Sequence, residues 1–292
     1  MYIIETEPSN KASQKESCAF LVGAPSLGLD LICNEAWRRQ GSRPLDVLVQ
    51  DIFEVKNPGF KEQPYLLLPN GNPSLIFVLK PQNSDCFLCG PLTTARRISV
   101  PAKGAIFCIR FVPGSMKWFR TEPAFYFADQ VEPLSKHMVQ AEELLQLLCS
   151  VHTYEERCGM AVSFLDYKIR KRFFVDPLIS ESVQHINKCK GRTLVCDVAK
   201  AVGRSERYTS KVFKDAVGMT IKTYCEIVQF NHSLYSVTMM HPDHLCKEAH
   251  TYGYFDLSHM NRTYKKFLGY TANEIKHLEM NAIYVLDLLC EC

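Results

Sequence analysis

Arg207, Lys211, Arg262 and Lys265 sit in two short stretches whose apolar residues recur at helical spacing. A guanidinium or ammonium on the free face of such a helix can hydrogen-bond a base edge or neutralise a phosphate. The same four side chains would equally suit a solvated helix face. Other chemistry finds little footing. Cys86-Phe-Leu-Cys89 has the spacing of half a zinc site, but no second C-x-x-C pair exists and the segment reads as a strand. Cys290-Glu-Cys292 lies at the end of the chain. Residues 1 to 136 contain no histidine, which argues against a metal-dependent β barrel. No Ser/His/Asp grouping, phosphate-binding glycine loop or H-E-x-x-H motif is present, so neither catalysis nor a cofactor or metal is expected.

The elements that would position these cations are readable. Val195, Val198, Ala199, Gly203, Val212 and Phe213 have the spacing of a helix-turn-helix, with a small residue at the crossing point, a glycine turn and a second helix capped by Ser205. Leu245, Ala249 and Gly253 repeat Val195, Ala199 and Gly203 fifty residues later, and Met260 and Tyr264 supply the next apolar face. A repeated motif is far more specific than one match. The charge agrees in sign: the net +3 of the 292-residue chain divides into +1 over residues 1–189, +5 over 190–278 and −3 over 279–292. Six of the nine histidines also fall in the basic stretch.

Upstream, Val47–Val49, Tyr65–Leu68, Leu75–Leu79, Cys86–Cys89 and Ala105–Ile109 are short apolar runs cut by Pro and Gly, the pattern of strands joined by tight turns. Their spacing leaves no room for helices between them and predicts a sandwich or barrel. Met138, Ala141, Leu144, Leu145 and Leu148 then mark an amphipathic helix, suited to covering the barrel or pairing with a second copy. A further helix is expected over Cys158–Phe174, and Asp176-Pro177 is an N-cap followed by a first-turn proline. Arg110 lies inside an apolar strand, either as a ligand anchor within the barrel or paired with a buried carboxylate. The thirteen cysteines are odd in number and irregular in spacing, and they read as small buried apolar residues. Met1–Asn10 lacks the basic and apolar regions of a signal peptide and no long apolar run exists, so a cytoplasmic protein without membrane contact is expected.

The stretch Gly253 to Thr271, with Phe255, Ser258, Arg262, Phe267 and Gly269-Tyr270-Thr271, closely resembles the signature of the AraC family of bacterial transcription regulators. Ser205 to Lys214 with Gly218 resembles its partner motif, and the resemblance spans about residues 176–278. It implies two helix-turn-helix motifs held by a linking helix, here Thr220–Ser236, with both recognition helices entering successive major grooves of double-stranded DNA. The residues so implicated are Arg207, Tyr208, Ser210, Lys211 and Lys214 in the first motif and Ser258, His259, Asn261, Arg262 and Lys265 in the second. The sequence departs from the family at Thr209, Lys211, Gln229, Glu248 and Ala272, where Leu, Arg, Arg, an apolar residue and Pro are usual. More loosely, Leu68-Pro69-Asn70-Gly71, Gly90-Pro91-Leu92-Thr93 and Ile109 to Gly114 are similar to the cupin-like sensor domain of some such regulators, over roughly residues 35–135.

The expected fold is therefore α+β: a β-rich cupin-like barrel followed by an all-α domain with two helix-turn-helix motifs joined by a linking helix. The expected organisation is a sensor over 1–133, a helical linker or dimerisation region over 134–174, a double helix-turn-helix over 175–278 and an acidic amphipathic tail over 279–292. The resemblance implies a sequence-specific regulator, an activator type, whose partners are DNA, RNA polymerase, a small-molecule or protein effector and a second copy of the chain. Two alternatives stand beside it: a protein-interaction module built on a degenerate helix-turn-helix pair, and a thiol redox sensor using Cys86, Cys89 and Cys108.

Overall fold

The computed structural model describes residues 20–21, 30–33, 48–169, 174–239 and 249–277. Among the described residues nine strands, β1 (Phe20–Leu21), β2 (Asp30–Cys33), β3 (Val49–Asn57), β4 (Gln63–Leu67), β5 (Ser74–Leu79), β6 (Asp85–Cys89), β7 (Arg96–Val100), β8 (Gly104–Phe111) and β9 (Val131–Pro133), form two antiparallel sheets. Seven run in the order β1-β2-β3-β8-β5-β6-β9, and β4 pairs with β7 in the second. Four of the five apolar runs expected to be strands lie in or against β4, β5, β6 and β8; of the fifth, Val47 lies outside the described residues and Val49 opens β3. The reading at residues 47–49 was too short, because β3 continues through Asp51, Glu54 and Lys56. The structure offsets the two buried acids on this strand with cations from distant segments, described below.

Strand alternation sends side chains to two faces. Phe53, Val55, Ile76, Ile106 and Cys108 face Tyr65, Leu67 and Val100 of the smaller sheet and fill the space between the two sheets. Ile52, Leu75, Phe77, Phe107 and Ile109 face the other way, toward α1 (Ala141–Cys149) and α2 (Tyr154–Ile169). Burial of a side chain such as Phe77 or Phe107 stabilises by about 2 kcal/mol. The α1 stripe of Ala141, Leu144, Leu145 and Leu148 is buried on this sheet, so of its two expected uses it serves the covering one. The second helix starts at Tyr154, four residues before the expected Cys158, and Tyr154 donates its hydroxyl to Ile52 O at 2.7 Å.

The helical part comprises α3 (Pro177–Lys188), α4 (Val195–Ala201), α5 (Glu206–Val217), α6 (Ile221–Met239), α7 (Leu257–Leu268) and α8 (Ala272–His277). Asp176 caps α3 by accepting from Leu178 N, with Pro177 in the first turn, as its sequence predicts. These helices enclose one core containing Ile179, Val198, Phe213, Phe230, Tyr264 and Phe267. Leu68, from the end of β4, is fully buried in that same core. Ala95 N–H donates to Phe267 O at 2.7 Å, and Asn231 donates to Pro69 O at 3.1 Å, so the β part and the helical part share a hydrogen-bonded junction. No described helix is long and apolar enough to cross a membrane. Glu248, Leu245 and the acidic segment 279–292 lie outside the described residues.

Candidate nucleic-acid interface

The two motifs are built by the same local rules. In the first, Gly203 N–H donates to Lys200 O and Arg204 N–H to Ala199 O, with Gly203 at φ +63°. In the second, Gly253 N–H donates to His250 O and Tyr254 N–H to Ala249 O, with Gly253 at φ +80°. This αL helix ending strains residues with a Cβ, which explains glycine at both turns. Ala199 and Ala249 are almost completely buried at the two crossings.

The helix that follows each turn is twelve residues long. Ser205 caps α5 by accepting from Tyr208 N–H, and Asp256 caps α7 by accepting from His259 N–H at 2.6 Å. Each helix then ends on a glycine in the αL conformation, Gly218 at φ +89° and Gly269 at φ +86°. Their buried sets correspond one for one: Thr209, Phe213, Ala216 and Val217 in α5, and Met260, Tyr264, Phe267 and Leu268 in α7. The exposed cations correspond as well. Lys211 and Lys214 occupy the helix positions of Arg262 and Lys265, and Arg207 that of Ser258.

The side chains divide by what they already touch. Arg207, Lys211, Arg262, Lys265 and Ser258 are exposed, Tyr208 is half exposed and Ser210 is half-buried. Lys214 is exposed but places its Nζ 5.1 Å from the Phe125 ring centroid, a cation–π contact with the β part. His259 accepts from Phe255 N–H through Nδ1 at 3.3 Å and packs its ring edge-on to Tyr254, which holds the helix start. Asn261 Oδ1 accepts from Ala272 N–H at 3.0 Å, tying α7 to the first turn of α8. His259 and Asn261 thus carry local structural bonds in addition to any outward role.

The departures from the family pattern acquire partners. Thr209 is fully buried and donates its hydroxyl to Ser205 O at 2.9 Å, so a polar group at an apolar position is satisfied. Gln229, on the linking helix α6, donates Nε2 to Tyr252 O at 2.8 Å and so holds the second turn. Sequence reasoning missed the centre of this assembly. Ser233 on α6 lies 3.1 Å from the Tyr254 hydroxyl and 2.8 Å from that of Tyr264, all three buried. Burial raises both tyrosine pKa values. Ser233 lies in the mixed polar and apolar stretch Phe230-Asn231-His232-Ser233-Leu234, so the sequence carried no signal that singled it out.

Two readings that the sequence left open are narrowed. Arg110 donates through Nε and Nη2 to the two carboxylate oxygens of Asp51 at 2.7 and 2.6 Å, with both side chains buried. Of its two readings, the fold-holding pair is the one realised, not an open ligand anchor. The thiol sensor reading also loses its basis. Burial pushes the Cys86 thiol up to about 11 and that of Cys89 to about 12, and raises Cys108 further. A sensor thiol needs a depressed value. Among the described residues no group of three or more His, Cys, Asp or Glu side chains is arranged to hold a metal.

A family described as "Helix-turn-helix domain" matches residues 198–277, and a "Domain of unknown function (DUF6597)" matches residues 38–133. No curated protein sequence matches the chain. Among solved structures, it is similar to ToxT from Vibrio cholerae O395, at 9% identity over 78% of this chain and 96% of that one, with a TM-score of 0.41. It is also similar to unsaturated fatty acid bound wild-type ToxT from Vibrio cholerae strain SCE256, at 10% identity over 81% and 92% of the two chains, with a TM-score of 0.38.

Proposed function

We propose, from the match of residues 198–277 to a helix-turn-helix family and their resemblance to the AraC type, that the chain is a sequence-specific, DNA-binding transcription regulator. The observation that carries this is the duplication of α5 and α7, which have the same cap position, length, buried set and glycine stop, with Lys211/Arg262 and Lys214/Lys265 at equal places. A solvated surface does not require two helices to present matching cations.

In this reading α5 and α7 enter successive major grooves, about 34 Å apart on one DNA face. Arg207, Tyr208, Ser210 and Lys211 read bases from the first helix, and Ser258, His259, Asn261 and Arg262 from the second. Lys214 and Lys265, nearer the helix ends, meet phosphate. Residues 1–133 form the sensing part, 134–174 the helical connection and 175–278 the DNA-binding part. An effector at the first shifts the population of DNA-competent molecules in the last. RNA polymerase and a second copy of the chain are the protein partners this role entails.

Binding-site selection on genomic DNA with the purified full-length protein, at two salt concentrations, tests the reading. The expected result is an asymmetric site of about two helical turns whose affinity falls steeply with salt. Absence of any enriched sequence would overturn it, and capture of a protein in its place would favour the interaction-module alternative.

A further inference from the structure

The space between the two sheets is filled with side chains, but a cavity of about 580 Å³ opens on the opposite face of the large sheet. It lies where the end of α1 at Cys149 and the α1–α2 turn at His152 meet the ends of β3 and β5 and the turn before β8. That volume suits a small organic molecule. Its lining holds four cations, Lys56, Lys80, Lys103 and Arg157, against one carboxylate, Glu54.

The partners of these groups decide what the cavity can accept. Arg157 is committed to the protein: Nε donates to Leu148 O at 3.1 Å, Nη2 to Val151 O at 2.9 Å and Nη1 to Glu54 Oε1. Lys80 is paired with Asp85 at 2.7 Å. The second oxygen of Glu54 is fully buried without a hydrogen bond, and Lys56 Nζ stands 3.8 Å from it. One carboxylate thus serves two cations. Lys103 places its Nζ over the face of Phe60, 4.0 Å from the ring centroid. Positive charge in a concave site with one shared counter-charge attracts and retains anions.

We propose that this cavity binds a small organic oxyanion, a carboxylate or a phosphate ester, with Lys56 and Lys103 as the groups that meet its charge. Glu54 and Arg157 act as positioning residues, holding Lys56 and the α1–α2 turn at the cavity wall. The proposal rests on the reading of residues 1–174 as the sensing part and places the effector outside the β interior, against the helix that leads toward the DNA-binding half.

The test uses the full-length protein without DNA. Malate and glucose 6-phosphate are titrated separately, with glucose as the neutral control. Thermal unfolding reports binding, and the alkylation rate of Cys149, followed by peptide mass spectrometry, reports location, because this exposed thiol lines the cavity. At least one anion is expected to raise the unfolding temperature and slow Cys149 alkylation, with apparent affinity at least tenfold weaker in Lys56→Gln/Lys103→Gln. Lys117→Gln, remote from the cavity, should bind like the parent. Which anion binds distinguishes a carboxylate site from a phosphate site. Binding by neither, or binding unchanged in the double variant, overturns the proposal. DNA affinity measured separately without anion shows whether the regulator reading fails on its own.

Discussion

The side-chain oxygen of Asn261 accepts the backbone N–H of Ala272 at 3.0 Å, so a residue on the outward half of α7 is steered by a departure from the family pattern eleven positions later. Proline, the usual residue there, has no N–H to give. Ala272→Pro should release Asn261 and change base preference at a single position of a selected site, while neighbouring positions keep theirs. Sequence logos from parent and variant check this, and identical logos would remove Asn261 from the reading set.

Arg262→Ala should weaken the selected site by about 1 to 3 kcal/mol and flatten one or two positions of its logo, the behaviour of a lost bidentate base contact. Lys265→Ala should weaken all sequences alike and reduce the salt slope by about 1. Titrations of selected and scrambled duplexes at several salt concentrations separate these behaviours.

The Asp51–Arg110 pair predicts an asymmetry in stability. Arg110→Met strands a buried carboxylate and should cost about 3 to 5 kcal/mol, whereas Asp51→Leu/Arg110→Met should recover most of the loss. Urea unfolding of the three proteins measures it. A double variant no better than the single one would mean that the pair contributes more than mutual neutralisation.

Buried thiols make the fold sensitive to alkali. Burial pushes Cys89, Cys158 and Cys225 up to about 12 from an ordinary 9.0. Their folded-state values lie above the unfolded ones, so the stability they contribute is complete below about pH 9 and is lost as pH rises toward 12. Each thiol supplies a slope of up to about 1.4 kcal/mol per pH unit in that window. Unfolding free energies at pH 8, 9 and 10 should decline, and Cys225→Ala should make the decline shallower.

Legibility in the sequence followed the range of the interactions involved. The turns at Gly203 and Gly253 and the Ser205 cap depend on residues within one or two helical turns, and their spacing shows in the chain. The length of β3 was hidden because Asp51 and Glu54 disfavour a strand locally. Their cations, Arg110 and Arg157, lie 59 and 103 residues away. Asn261 illustrates the same limit: its place on α7 was readable, but its bond to Ala272 exists only once α8 folds back. Ser233 was likewise invisible as a hub, since both tyrosines that meet it belong to the second motif.

Leu68 belongs by sequence to the β part and by packing to the helical core. The two parts are consequently poor candidates for free recombination. A chimera that joins the helical part to a foreign N-terminal part inherits a hole unless the new partner supplies an apolar side chain at that place. Exchange in evolution or in the laboratory should therefore succeed when the crossover keeps the Leu66–Gly71 segment with the helices it plugs, which makes that segment a matching piece between halves otherwise separable by sequence.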